Sequence, residues 1–110
     1  MRRTMESAFQ GEGIFARCSG YGNDVVPGSS LAYLHFPYRE DTVLDRPERS
    51  ADPALCDVEL TKHVLQLALL LENVYLVHGH GALSTVHTEA DILILEQACR
   101  HVARRIKASL

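Results

Sequence analysis

Residues Glu72 to Ile92, ENVYLVHGHGALSTVHTEADI, set the reading of this chain, because strand formers, a glycine-rich turn, more strand formers and a helix start follow one another without a gap. Val74 to Val77 has the composition of a short buried strand. His78 to Gly81 has that of a turn, and Ala82 to Val86 that of a strand returning beside the first, so a hairpin is expected. Thr88 stands before Glu89, Ala90 and Asp91, the pattern of a capping box with acidic residues at the positive end of a helix. Beyond it Ile92, Leu95, Ala98, Cys99, Val102 and Ile106 recur at helical spacing. Arg100, Arg104, Arg105 and Lys107 fall towards the C-terminal end, where cations are favoured.

Upstream, Asp57 is placed to cap a helix running to about Glu72, with Leu60, Val64, Leu67, Ala68 and Leu71 as one stripe. Leu65, Leu69 and Leu70 widen that stripe beyond what a one-sided surface helix needs, which predicts a second cover for this helix. Residues 37–56 are charged and contain Pro37, Pro47 and Pro53, so a long loop is expected there. Leu31 to Phe36 alternates as a strand, with Leu31, Tyr33 and His35 on one face and Ala32, Leu34 and Phe36 on the other. Ile14 to Ser19 is a second strand candidate, joined to it by the turn-rich GYGNDVVPGSS. At the N-terminus, Met5, Ala8 and Phe9 share one side of a helix over Arg3 to Gln10, and Gly11 and Gly13 supply its left-handed stop. The order helix, two strands, loop, helix, two strands, helix predicts an α+β fold: a small, mainly antiparallel sheet with helices packed on one face.

The chain has 110 residues, enough for a single domain spanning residues 1–110 with one core. Apolar residues make up 46% and charged ones 23%, far from the composition of a disordered segment. The net charge of −3 and the scattered basic residues argue against nucleic acid as a partner. No apolar run approaches the roughly 20 residues that span a bilayer, and MRRTMESAF lacks a long apolar core behind its arginines, so no membrane association and a cytoplasmic location are expected. Cys18, Cys56 and Cys99 are odd in number and far apart, and are read as buried, reduced thiols.

Five segments, in order, resemble the C-terminal end of the class III pyridoxal-phosphate aminotransferases and their glutamate-1-semialdehyde aminomutase relatives. They are RRTMESAF followed by GIFARCSGYG, then LAYLHF, LALLLENVYL and LSTVHTEADI. The resemblance implies the C-terminal small domain of such an enzyme, α/β in build, covering a large domain that holds pyridoxal phosphate on a lysine. It further implies that the turn His78, Gly79, His80 and Gly81 borders the substrate entrance. Three departures stand out: Asn73 where the family commonly has glycine, HGHG where relatives often carry a proline, and NDVVPGSS as an insertion.

The Schiff-base chemistry of that family needs a lysine, and only Lys62 and Lys107 are present, neither in a segment like the family's lysine segment. No catalytic, cofactor-binding or metal-binding residue is therefore assigned, and the chain is expected to bind no cofactor and to be inactive alone. The implied partner is the missing pyridoxal-phosphate domain or a second copy of the chain in a homodimer. Two other readings are carried. A stand-alone interaction or dimerisation module is motivated by the broad apolar helix. A histidine metal protein is motivated by His78, His80 and His87, which could offer three imidazoles to a divalent cation. Ser84 and Thr85 lack the glycine elbow of a serine hydrolase.

Overall fold

The structure, a computed structural model, describes residues 1–19, 31–44, 47–76, 80–82 and 87–109. Its elements are α1 (Arg2–Gly11), β1 (Arg17–Ser19), β2 (Leu31–His35), α2 (Pro47–Ser50), a π-helical turn (Leu60–Val64) leading directly into α3 (Leu65–Leu70), β3 (His80–Ala82) and α4 (Glu89–Ser109). The three strands form one antiparallel sheet in the order β1-β2-β3, with Cys18 opposite Leu34 and Ala32 opposite Gly81. The fold is α+β.

Alternation along β2 decides how the sheet is covered. Ala32, Leu34 and the following Phe36 are buried together with Cys18 of β1, and α1 lies over them through Met5, Ala8 and Phe9. Phe9 and Phe36 meet edge to face with ring centroids 5.2 Å apart. Helix α4 packs on α1 through Leu95, Ala98, Cys99, Val102 and Ala103, and all three cysteines are buried. Two neighbouring arginines of α4 tie it by charge to the ends of two other helices: Arg104 reaches Glu12, just after α1, at 3.0 Å, and Arg105 reaches Glu72, just after α3, at 3.0 Å.

Two helices end in the same way. At the end of α1, Ile14 N–H donates to the Phe9 carbonyl and Gly13 N–H to that of Gln10, with Gly13 at φ 84°. At the end of α3, Val74 donates to Leu69 and Asn73 to Leu70, with Asn73 at φ 60°. Each is a Schellman turn whose left-handed residue releases the chain towards the core, where Ile14 and Val74 pack. One arm of the expected capping box forms at the start of α4: the Asp91 carboxylate accepts from the Thr88 N–H at 2.7 Å and from its hydroxyl at 3.2 Å, while the Asp91 N–H donates to the Thr88 carbonyl at 3.1 Å. Asp57 caps the π-helical turn by accepting from the Leu60 N–H at 3.0 Å.

Two expectations are corrected. The apolar stripe of the central helix is out of phase: Thr61, Leu65 and Leu69 are buried, whereas Val64, Leu67, Leu70 and Leu71 are exposed. The π-helical turn, closed by Leu65 N–H on the Leu60 carbonyl, inserts an extra residue and rotates the row 61, 65, 69 inward. The hairpin also gives way. Residues 74–76 are irregular, Tyr75 is exposed, and β3 begins at His80, inside the segment expected to be a turn. Its partner is β2, whose second edge offers a full antiparallel ladder, while the turn at Asn73 carries Val74 away. The remainder of the expected second strand, residues 83–86, lies outside the described residues, as does the insertion, residues 23–30.

The described residues of 37–56 run mostly as a loop, as expected. It contains the short helix α2 and is bracketed by a bridge between Pro37 and Cys56. Tyr38 N–H donates to Leu55 and Asp57 N–H to Phe36, so its two ends are closed like the neck of a pouch.

Candidate functional site

The described residues line a shallow, wide-open cleft of about 780 Å³. One wall is the outward side of α1, where Arg3, Glu6, Ser7 and Gln10 follow one another at helical spacing. The floor is Arg17 and Cys18 of β1, and the opposite wall is residues 40–44. That wall is held by Arg17, whose guanidinium donates to the Glu40 carbonyl at 2.7 Å and to the Thr42 carbonyl, and lies 5.5 Å from the Phe15 ring centre. Arg39 and Asp41 form a second, exposed fork at 3.1 and 3.2 Å.

The chemistry available in this cleft is limited by how its groups are used. Arg17 is engaged in holding the loop, and Gln10 Nε2 donates to the Ala16 carbonyl at 3.0 Å. The Cys18 thiol, 4% exposed, points at the Arg2 carbonyl at 3.6 Å, and burial pushes its pKa far above the ordinary thiol range. A neutral thiol is a poor nucleophile. Among the described residues, no lysine lines the cleft. Among the described residues, the arrangement offers polar groups that can recognise a polar partner and shows no activated nucleophile.

The second gathering of polar side chains is on the face of the sheet away from α1. Ser19 Oγ and His35 Nε2 are 3.0 Å apart, and the imidazole stacks on Tyr33 with ring centres 4.4 Å apart and planes 12° from parallel. Desolvation raises the Tyr33 phenol above its usual pKa. His35 is only 4% exposed, so this ring is a satisfied, packed histidine of the kind expected from its place on the strand.

Of the four residues expected at the substrate entrance, His80 and Gly81 are on β3, in register with Tyr33 and Ala32. His78 and Gly79 lie outside the described residues. The structure thus brings His80 into the same cross-strand row as Ser19 and Tyr33, which sequence spacing could not show because β3 pairs with a strand some fifty positions earlier. His87 precedes the capped start of α4 and is exposed. The cleft was missed by sequence reasoning, since Arg17 reads there only as one more residue of a weakly alternating strand.

Lys62 sits in the π-helical turn. Lys107 is in the last turn of α4, close enough to the end of α1 that a Cβ built on Gly13 would come 2.5 Å from its Nζ. Neither is at the end of a strand or in the cleft, so the lysines present do not fit the Schiff-base role. Comparison of the chain with protein-family models, with curated proteins and with solved structures finds no match. Among the described residues, no helix is long and apolar enough to cross a membrane.

Proposed function

We propose that the chain is the C-terminal small domain of a class III pyridoxal-phosphate aminotransferase or aminomutase. Its role would be to cover the cofactor domain and shape the substrate entrance through the segment around His80 and Gly81. The observation that carries this reading is the run of five sequence segments in the family's order, ending in LSTVHTEADI. Asn73 adds support: it replaces a residue that is commonly glycine in that family, and it adopts φ 60°, the left-handed conformation that favours glycine first and asparagine next. The small α+β fold agrees with the expected architecture.

In this reading the chain supplies no step of the amino transfer. The cofactor lysine belongs to the large domain, and the residues here exclude water from the site and border the path of the substrate. The test is complementation. A class III aminotransferase deleted of its own C-terminal domain is mixed with this chain, and both amino transfer and the formation of a complex are measured. Recovered turnover is expected. No complex and no turnover at tens of micromolar would sink the proposal, as would pyridoxal phosphate forming a borohydride-reducible adduct at one lysine of the chain alone.

A further inference from the structure

Residues 37–56 are held differently from the rest of the molecule. None of their described side chains belongs to the main core, whereas the chain on either side is anchored in it by Phe36 and Leu60. Cys56 is as buried as Cys18 and Cys99, yet those two are core residues and Cys56 is not. The backbone bonds of the loop close within it: Tyr38 N–H donates to Leu55, Thr42 to Arg39, and Leu55 and Cys56 to Asp52. The tie that crosses from the sheet is Arg17 of β1, whose guanidinium donates to the carbonyls of Glu40 and Thr42.

From this arrangement we infer that residues 37–56 open and close as one unit, hinged between Phe36 and Asp57 and latched by Arg17, while the core stays folded. Both bases of the loop are fixed, so it can swing without drawing on the helices or the sheet. Opening uncovers little apolar surface, because Tyr38 and Val43 are already exposed. An arginine suits the latch. Its planar fork serves two carbonyls at once, and its charge makes those bonds stronger than neutral ones. Residues 40–44 form one wall of the cleft, so release of Arg17 takes that wall away from the outward side of α1. The latch thereby gates the cleft. This inference does not rest on the enzymatic reading.

The experiment uses the native cysteines as reporters. The full chain is treated with iodoacetamide under native conditions, and the alkylation rate of each thiol is read by peptide mass mapping. Burial raises the pKa of both Cys56 and Cys99, so each reacts when it is uncovered. Cys56 is expected to react roughly tenfold faster than Cys99 or more, since Cys99 waits for the core to open. Arg17→Met should speed Cys56 by a further factor of about ten and leave Cys99 unchanged, because it removes charge-assisted bonds to two carbonyls. Arg17→Lys keeps the charge without the fork and should fall between. Arg39→Met breaks the exposed fork with Asp41 and should change the Cys56 rate by less than about twofold. Circular dichroism shows whether each variant is folded. If Arg17→Met is not, the decision passes to Arg17→Lys and to hydrogen exchange of the wild type, where the Tyr38, Leu55 and Cys56 amides should exchange faster than that of Val102. Equal wild-type rates at Cys56 and Cys99 would overturn the inference. So would folded Arg17 variants that leave Cys56 unchanged or that speed both thiols alike.

Discussion

Gly13 shows how one residue can serve both backbone and packing. Its φ of 84° is strained for any residue with a Cβ, and the space a Cβ would take is held by Lys107. Gly13→Ala is expected to cost about 1 kcal/mol by urea denaturation, chiefly through the left-handed backbone, since the flexible end of Lys107 can move aside. Asn73 occupies the equivalent place after α3 at φ 60° and has no glycine's freedom, so Asn73→Gly should be neutral or stabilising while Asn73→Ala costs about 1 kcal/mol. Were both alanine variants neutral, the two left-handed helix ends would be wrong. The glycine stop was legible from the sequence. The asparagine stop became legible only with its dihedral angle, because asparagine is equally at home in turns and helix starts.

At the scale of elements, the helix from the π-turn through α3 separates periodicity from burial. Its apolar residues occupy most of the circumference, so the pattern alone could not say which row faces inward. The extra residue in the π-turn settled it for Leu65 and Leu69. Leu69→Ala is expected to destabilise by about 2–5 kcal/mol, whereas Leu67→Ala should stay within about 0.5 kcal/mol. Equal losses would contradict the observed phase. Helices α1 and α4 behaved differently. In α1 the residues read as core, Met5, Ala8 and Phe9, are the ones buried; in α4, Leu95, Ala98, Cys99 and Val102 are buried as read, Ile92 and Ile106 are half-buried, and Ala103 joins the buried set. Glu72 then joins α3 to α4 by accepting from His101 at 3.1 Å and Arg105 at 3.0 Å, a contact between positions far apart in sequence.

For the whole molecule, charge ties the last helix to both of its supports and makes stability depend on pH. The Glu12 carboxyl is held below its usual pKa by the Arg104 hydrogen bond, and that of Asp91 by the Thr88 N–H. Groups with a depressed folded pKa stabilise fully above the unfolded value and lose that contribution as pH falls through the folded one. The melting temperature should therefore hold from about pH 7 to 5 and fall below about pH 4, where free carboxylates titrate. In Glu12→Gln with Asp91→Asn the fall should be shallower, and an unchanged slope would show that these groups do not carry the pH response.

Local signals determined where α1 ends and α4 begins, which side of α1, β2 and α4 is buried, and that the cysteines are interior. These outcomes depend on residues within one or two turns of each other, and a side chain's periodicity is a property of the chain itself. The partner of β3, the phase of α3, the cleft behind Arg17 and the row of Ser19, Tyr33 and His80 were decided only in three dimensions. A strand edge accepts any backbone that reaches it, and which segment arrives is fixed by how the helices pack and where the turns release the chain, not by the composition of the strand.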